Sequence, residues 1–147
     1  MTSSATHDGP HERLLRLAGA LFVVAYVIHA GDHFRRGIDQ VTGQVFWAGN
    51  LQGLLGLVTV ILIFTRHRWA PSAAIAVGFG SAVGFVGAHF LPEWSAFSDS
   101  FIDGHVIWFS WFAAIVEIAA DVFLGYAGWR CWQDQRSATT PLAGVAP

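Results

Sequence analysis

An all-α integral membrane protein, folded as an antiparallel four-helix bundle with short loops and disordered termini, is the architecture this sequence predicts. Three observations carry that expectation. Apolar residues make up 54% of the 147-residue chain and charged residues only 12%, too few to cover the surface of a soluble domain. Four stretches approach the roughly 20 apolar residues that a helix needs to cross a ~30 Å hydrocarbon layer. The connections between them are short, which makes consecutive helices antiparallel neighbours.

The first span is expected at residues 14–30, the second at 45–65, the third at 71–91 and the fourth at 106–129, all within one domain of residues 13–132. Residues 1–12 and 133–147 are polar, lack hydrophobic periodicity and read as disordered tails. Pro71 suits a first helical turn, where its missing N–H does no harm. A cleaved signal peptide is the rival for the first span, with residues 17–28 as its apolar stretch and Ala30 as the cleavage point. Ile28, two residues before Ala30, is larger than such a site prefers, and four spans fit better.

Arginine placement orients the bundle. Arg13, Arg16, Arg66, Arg68, Arg130 and Arg136 share one side, against Arg35 and Arg36 on the other. That bias predicts a plasma-membrane protein with both termini in the cytoplasm. Trp47, Trp94, Trp108 and Trp111 then mark the outer interface, and Trp69, Trp129 and Trp132 the inner one. All eight basic residues are arginine, and with abundant Ala and Gly this usage points to a GC-rich bacterial genome and an inner membrane.

Several function classes drop out. A net charge of −2 offers no basic field for nucleic acid. The single Cys131 excludes an internal disulfide and any zinc site built from cysteines. No C-x-x-C-H haem attachment, P-loop, G-x-S-x-G elbow or dinucleotide fingerprint is present.

Two glycine stripes suggest how the helices meet. Gly49, Gly53 and Gly56 fall on one face of the second helix, and Gly80, Gly84 and Gly87 on one face of the third. Small residues permit the close backbone approach that association in lipid requires, so these stripes are expected to cross at matching depth. The rival use is a homodimer or membrane-partner contact through either face, with the lipid bilayer as the surrounding partner.

Four of the seven histidines gather at the outer ends of the spans: His29, His33, His89 and His105. His29 and His33 are four residues apart, about 40° on a helix, so the run His-Ala-Gly-Asp-His at residues 29–33 offers two imidazoles and Asp32 from one turn. Zinc and non-haem iron use that ligand type and spacing, as in the i, i+4 pair of H-E-x-x-H. Gly31 could break the helix before His33. By helical phase the His29 face continues through Ala18, Phe22 and Ala25 into the bundle, while Arg13 and Arg16 point the other way. His89 shares its face with Gly78, Ala82 and Phe85, opposite the glycine stripe. His29, His33 and His89 are therefore expected to converge, with Asp32 and His105 as further candidate metal ligands.

Glu117 and Asp121 lie one turn apart within the fourth span, on a stripe with Ser110, Ala114, Leu124 and Gly128. A charged carboxylate there costs at least ~2.5 kcal/mol, so each needs a partner or a proton. Either they are protonated and bonded to neighbouring helices, with Asn50 and Gln52 available, or they form a proton or ion relay. Three functions follow. The first is a divalent metal (Zn or Fe) or b-type haem site using His29, His33 and His89. The second is a transport component using Glu117 and Asp121, and the third a structural or assembly protein without ligand.

Overall fold

The computed structural model describes residues 9–104 and 106–139. Four helices carry the fold: α1 at Pro10–Arg36, α2 at Gly43–Phe64, α3 at Ala70–His89 and α4 at Trp108–Thr139. A single 3-10 turn at Ile38–Gln40 follows α1, and the described residues contain no strand. All four helices are long and apolar enough to cross a membrane.

The boundaries differ from the sequence reading in an informative way. α1 begins at Pro10 and α4 runs to Thr139, so part of each segment read as a disordered tail is helical. Side chains at that end explain the extension, because His11 Nδ1 meets Asp134 Oδ2 at 2.5 Å and Arg130 Nη2 donates to His11 Nε2 at 3.1 Å. At the other end α1 continues through Gly31 to Arg36. It stops at Gly37, whose φ of 99° favours glycine and whose N–H donates to the His33 and Phe34 carbonyls.

α4 is the central element. It packs broadly on α3 and on α1, whereas α2 touches α1 and α3 more lightly and turns most of its surface outward. Leu51, Leu54, Leu57 and Ile61 of α2 are exposed, as apolar side chains facing acyl chains should be. α4 earns its position with small residues at three- and four-residue spacing, including Ala113, Ala114, Ala120, Ala127 and Gly128, all buried. The α3–α4 crossing is close enough that a Cβ added at Gly78 would lie 2.5 Å from Gly125 N and 2.6 Å from Asp121 O. At Gly128 it would lie 2.8 Å from both the Ala74 Cβ and the Pro71 carbonyl.

The expected crossing of the two glycine stripes does not occur. A Cβ at Gly80, Gly84, Gly87 or Gly49 would meet nothing within 4 Å. Gly53 and Gly56 are used, but to seat the Tyr26 and Phe22 rings of α1. The reason lies in the opposite face of α3, which carries Gly78, Ser81, Ala82 and His89 and is turned inward. Burying those polar groups and meeting α4 through Gly78 leaves the Gly80–Gly84–Gly87 face outside.

These contacts separate glycines that are equivalent in sequence. Gly78→Ala is expected to lower unfolding free energy in detergent by about 1–3 kcal/mol through overpacking against backbone. Gly84→Ala should change it by no more than about 0.5 kcal/mol. Reversible detergent-denaturation curves of the two variants provide the comparison.

Candidate metal centre

Unbroken helix through Gly31 keeps His29 and His33 on one face of α1. Their Nε2 atoms are 3.1 Å apart and their rings meet edge to face, with centroids 4.8 Å apart. His89, the last residue of α3, brings a third ring with centroids 5.1 Å from His29 and 5.8 Å from His33. One donor atom from each of the three lies within 4.8 Å of the others. Phe85 and Phe101 wall the cluster, with the Phe85 centroid 4.8 Å from His29 and the Phe101 centroid 4.5 Å from His89.

The loop between α3 and α4 is shaped by the carbonyls that a helix end leaves unpaired. Trp94 Nε1 donates to the Gly87 carbonyl, Asp99 N to that of Ala88 and Phe101 N to that of His89. This fold-back sets Asp99 beside the His89 ring. His89 Nδ1 is 3.0 Å from the Asp99 carbonyl oxygen, which can only accept, so Nδ1 carries the proton and Nε2 keeps its lone pair.

Arg36 ties α1 to the same loop. Its guanidinium donates to both Asp99 carboxylate oxygens, at 3.1 and 2.5 Å, and lies over the Phe101 ring. It also donates to His33 Nδ1 at 3.1 Å. With His33 Nδ1 accepting, neutral His33 carries its proton on Nε2 and donates to His29 Nε2. The His29 proton is thereby assigned to Nδ1, which is buried without a hydrogen-bond partner among the described residues. Burial alone would raise the Asp99 carboxyl pKa, but the hydrogen bonds and positive charge of Arg36 outweigh it and hold that carboxyl below its ordinary range.

Asp32 is buried, yet it does not join the histidine group. Arg35 Nε and Nη2 donate to its Oδ1 at 2.9 and 2.7 Å, and Arg36 Nε lies 3.3 Å from Oδ2. An acid so engaged serves as an anchor for the arginines, and Arg35 reaches on to Ser110 Oγ of α4 at 3.1 Å. His105 lies outside the described residues.

Glu117 and Asp121 face the interior of the bundle at 0% exposure. None of their four carboxylate oxygens has a hydrogen-bond partner among the described residues. Of the two α2 residues available to them by sequence, Gln52 donates to Ser81 Oγ at 3.3 Å and Asn50 to the Phe46 carbonyl at 2.8 Å.

Sequence reasoning set Phe85 on the His89 face but missed the parts that Arg36, Asp99 and Phe101 play in this site. The i, i+3 spacing of His33 and Arg36 was a legible signal, but nothing in the sequence announced that Asp99 would be carried back to α3. No family model matches the chain, and neither the curated proteins nor the solved structures contain a match to it.

Removal of Arg36 leaves the Asp99 and Asp32 carboxylates short of a partner. Arg36→Met should therefore cost on the order of 3 kcal/mol in detergent unfolding. Because folding lowers the Asp99 pKa, this pair contributes fully above the ordinary carboxyl range and loses its contribution as the pH falls through the folded value. In Asp99→Asn, stability measured from about pH 6 down to pH 2 should lose that part of its acid slope.

Proposed function

We propose that this small multi-pass membrane protein binds a first-row transition-metal ion through His29, His33 and His89. The observation that carries the reading is the convergence of three imidazole nitrogens from two helices to within 4.8 Å of one another, walled by aromatic rings. Two nitrogens on a tetrahedral zinc ion at ~2.05 Å stand about 3.3 Å apart, and the 3.1 Å between the His29 and His33 Nε2 atoms is close to that spacing; binding there moves the His33 proton from Nε2 to Nδ1, so Arg36 must release that nitrogen while keeping its carboxylate partners. Imidazole suits zinc, copper and iron alike, with zinc the best match to a compact set of three neutral donors. Three protein ligands leave one position for water or an exogenous ligand, as at zinc sites that perform chemistry. The arginine bias supports an extracytoplasmic position for this end of the bundle in the proposed reading.

Haem is the weaker fit. A porphyrin held between two axial histidines needs a slot between their rings, and here the rings touch one another and Phe85. Through-conduction is also poorly served. Below Asp121 the interior closes on a cluster containing Leu15, Ala18, Phe22, Ile63, Leu124 and Ala127.

Chelator-treated protein in detergent should take up one equivalent of Zn(II) by calorimetry and elemental analysis. His29→Ala and His89→Ala should weaken uptake by at least the ~10–100-fold that loss of a mere supporting group produces. His67→Ala, at the opposite end, should leave it unchanged. Absence of zinc, copper and iron affinity, or affinity indifferent to the cluster variants, overturns the reading.

A further inference from the structure

Charge bookkeeping at the histidine end leaves a divalent ion uncompensated. Among the described residues, the charged groups that touch the histidines or one another there are Asp32, Arg35 and Arg36 of α1 and Asp99 of the loop. Two acids against two arginines sum to zero, so three neutral imidazoles holding M²⁺ would carry the full double charge. His29 and His89 are almost completely buried, and an isolated double charge at such depth is costly unless opposite charge lies near. Glu93 and Asp103 are exposed, where water screens them.

Helix register shows where the missing charge can come from. Arg35 with Ser110, and His11 with Asp134, align α1 against α4 so that Glu117 is level with residues 25–29. Phe90 with Trp111, and Gly78 with Gly125, align α3 so that Glu117 is level with residues 84–86. His29 and Phe85, which touch each other, occupy that level. Side chains lean toward the N-terminus of their own helix. α4 starts at the histidine end and α1 finishes there, so Glu117 and His29 lean toward one another. Asp121 follows one turn deeper.

Both acids are fully buried with no partner for any oxygen among the described residues, and an ionised carboxylate is not tolerated under those conditions without a cation. At the level of Glu117, the buried His29 Nδ1–H also lacks a partner among the described residues. Metal-bound histidines ordinarily donate this second N–H to a carboxylate, carbonyl or water. No other titratable group stands in the way. α2 carries none in its sequence, Tyr26 is turned to Gly53, and α3 offers only His89.

We propose that Glu117 and Asp121 are the counter-charge of the metal centre, so that the protein exchanges one divalent cation for two protons. The inference rests on the metal reading above. In the empty state both side chains are neutral acids. On loading, three imidazoles hold M²⁺, the His33 proton moves from Nε2 to Nδ1 as Arg36 releases that nitrogen, the two acids become carboxylates, and two protons pass to bulk water. Charge balances across the exchange and no electron moves. Glu117 acts through His29 as a positioning residue, accepting the Nδ1–H once ionised, and Asp121 supplies the second negative charge.

Proton release on Zn(II) binding tests this in the full chain in detergent at about pH 8, where free imidazole is already neutral. Calorimetry in two buffers of different ionisation enthalpy gives the proton count. The Glu117→Gln/Asp121→Asn double variant should release about two fewer protons per zinc than the parent and bind zinc about 10–100-fold more weakly. A zinc-bound water ionises more readily where the two carboxylates are absent, so the proton count is read together with the state of the acids themselves. The infrared carbonyl band of protonated carboxylic acids, read on the unaltered protein, should fall when zinc binds. Zinc binding with less than one proton of difference, or a carbonyl band unchanged by zinc, overturns the proposal while leaving the histidine site standing. Failure of zinc, copper and iron to bind overturns the metal reading and this inference with it.

Discussion

The guanidinium of Arg36 is the joint on which the histidine end is built. It grips both oxygens of Asp99, lies beside Asp32, caps the Phe101 ring and donates to His33. Asp99 in turn accepts the His89 proton through its backbone carbonyl. One side chain thereby links the end of α1, the α3–α4 loop and the ring at the end of α3. Its fork geometry matters because a planar, always-charged donor set can hold a carboxylate on two bonds and still present an N–H to imidazole. A lysine offers a single point charge and could not hold all these partners in one plane.

That joint also dictates proton positions. Arg36 cannot accept, so His33 must, and the requirement passes through His33 Nε2 to His29 and leaves its Nδ1–H facing inward. By helix register Glu117 of α4 stands at the same depth, with Asp121 one turn deeper. A row of polar groups in an apolar interior stands only if each finds a partner, a proton or a cation. The same need accounts for both the fold-back loop and the unpartnered carboxylates.

Packing below the site has a different basis. Lipid gives apolar helices little reason to associate, so α3 and α4 meet where Gly78, Gly125 and Gly128 let backbones approach. α2 lacks comparable contacts: it rests on α3, where Gln52 donates to Ser81, and on the Tyr26 and Phe22 rings of α1 seated on Gly53 and Gly56. This hierarchy makes α4 the scaffold that presents Glu117 and Asp121, and α2 the element most exposed to lipid.

Composition and period determined the larger features of the protein. The shortage of charge and the length of four apolar runs required helices in a bilayer, because only there is so apolar a surface stable. Helical phase correctly turned His29, His33 and His89 toward a common interior, since that depends only on 100° per residue. Which glycine face of α3 would pack, whether Asp32 would serve the histidines or the arginines, and where Asp99 would land depended on competition between distant partners. Those choices are made by burial and hydrogen bonding among four helices at once, and no local pattern encodes their outcome.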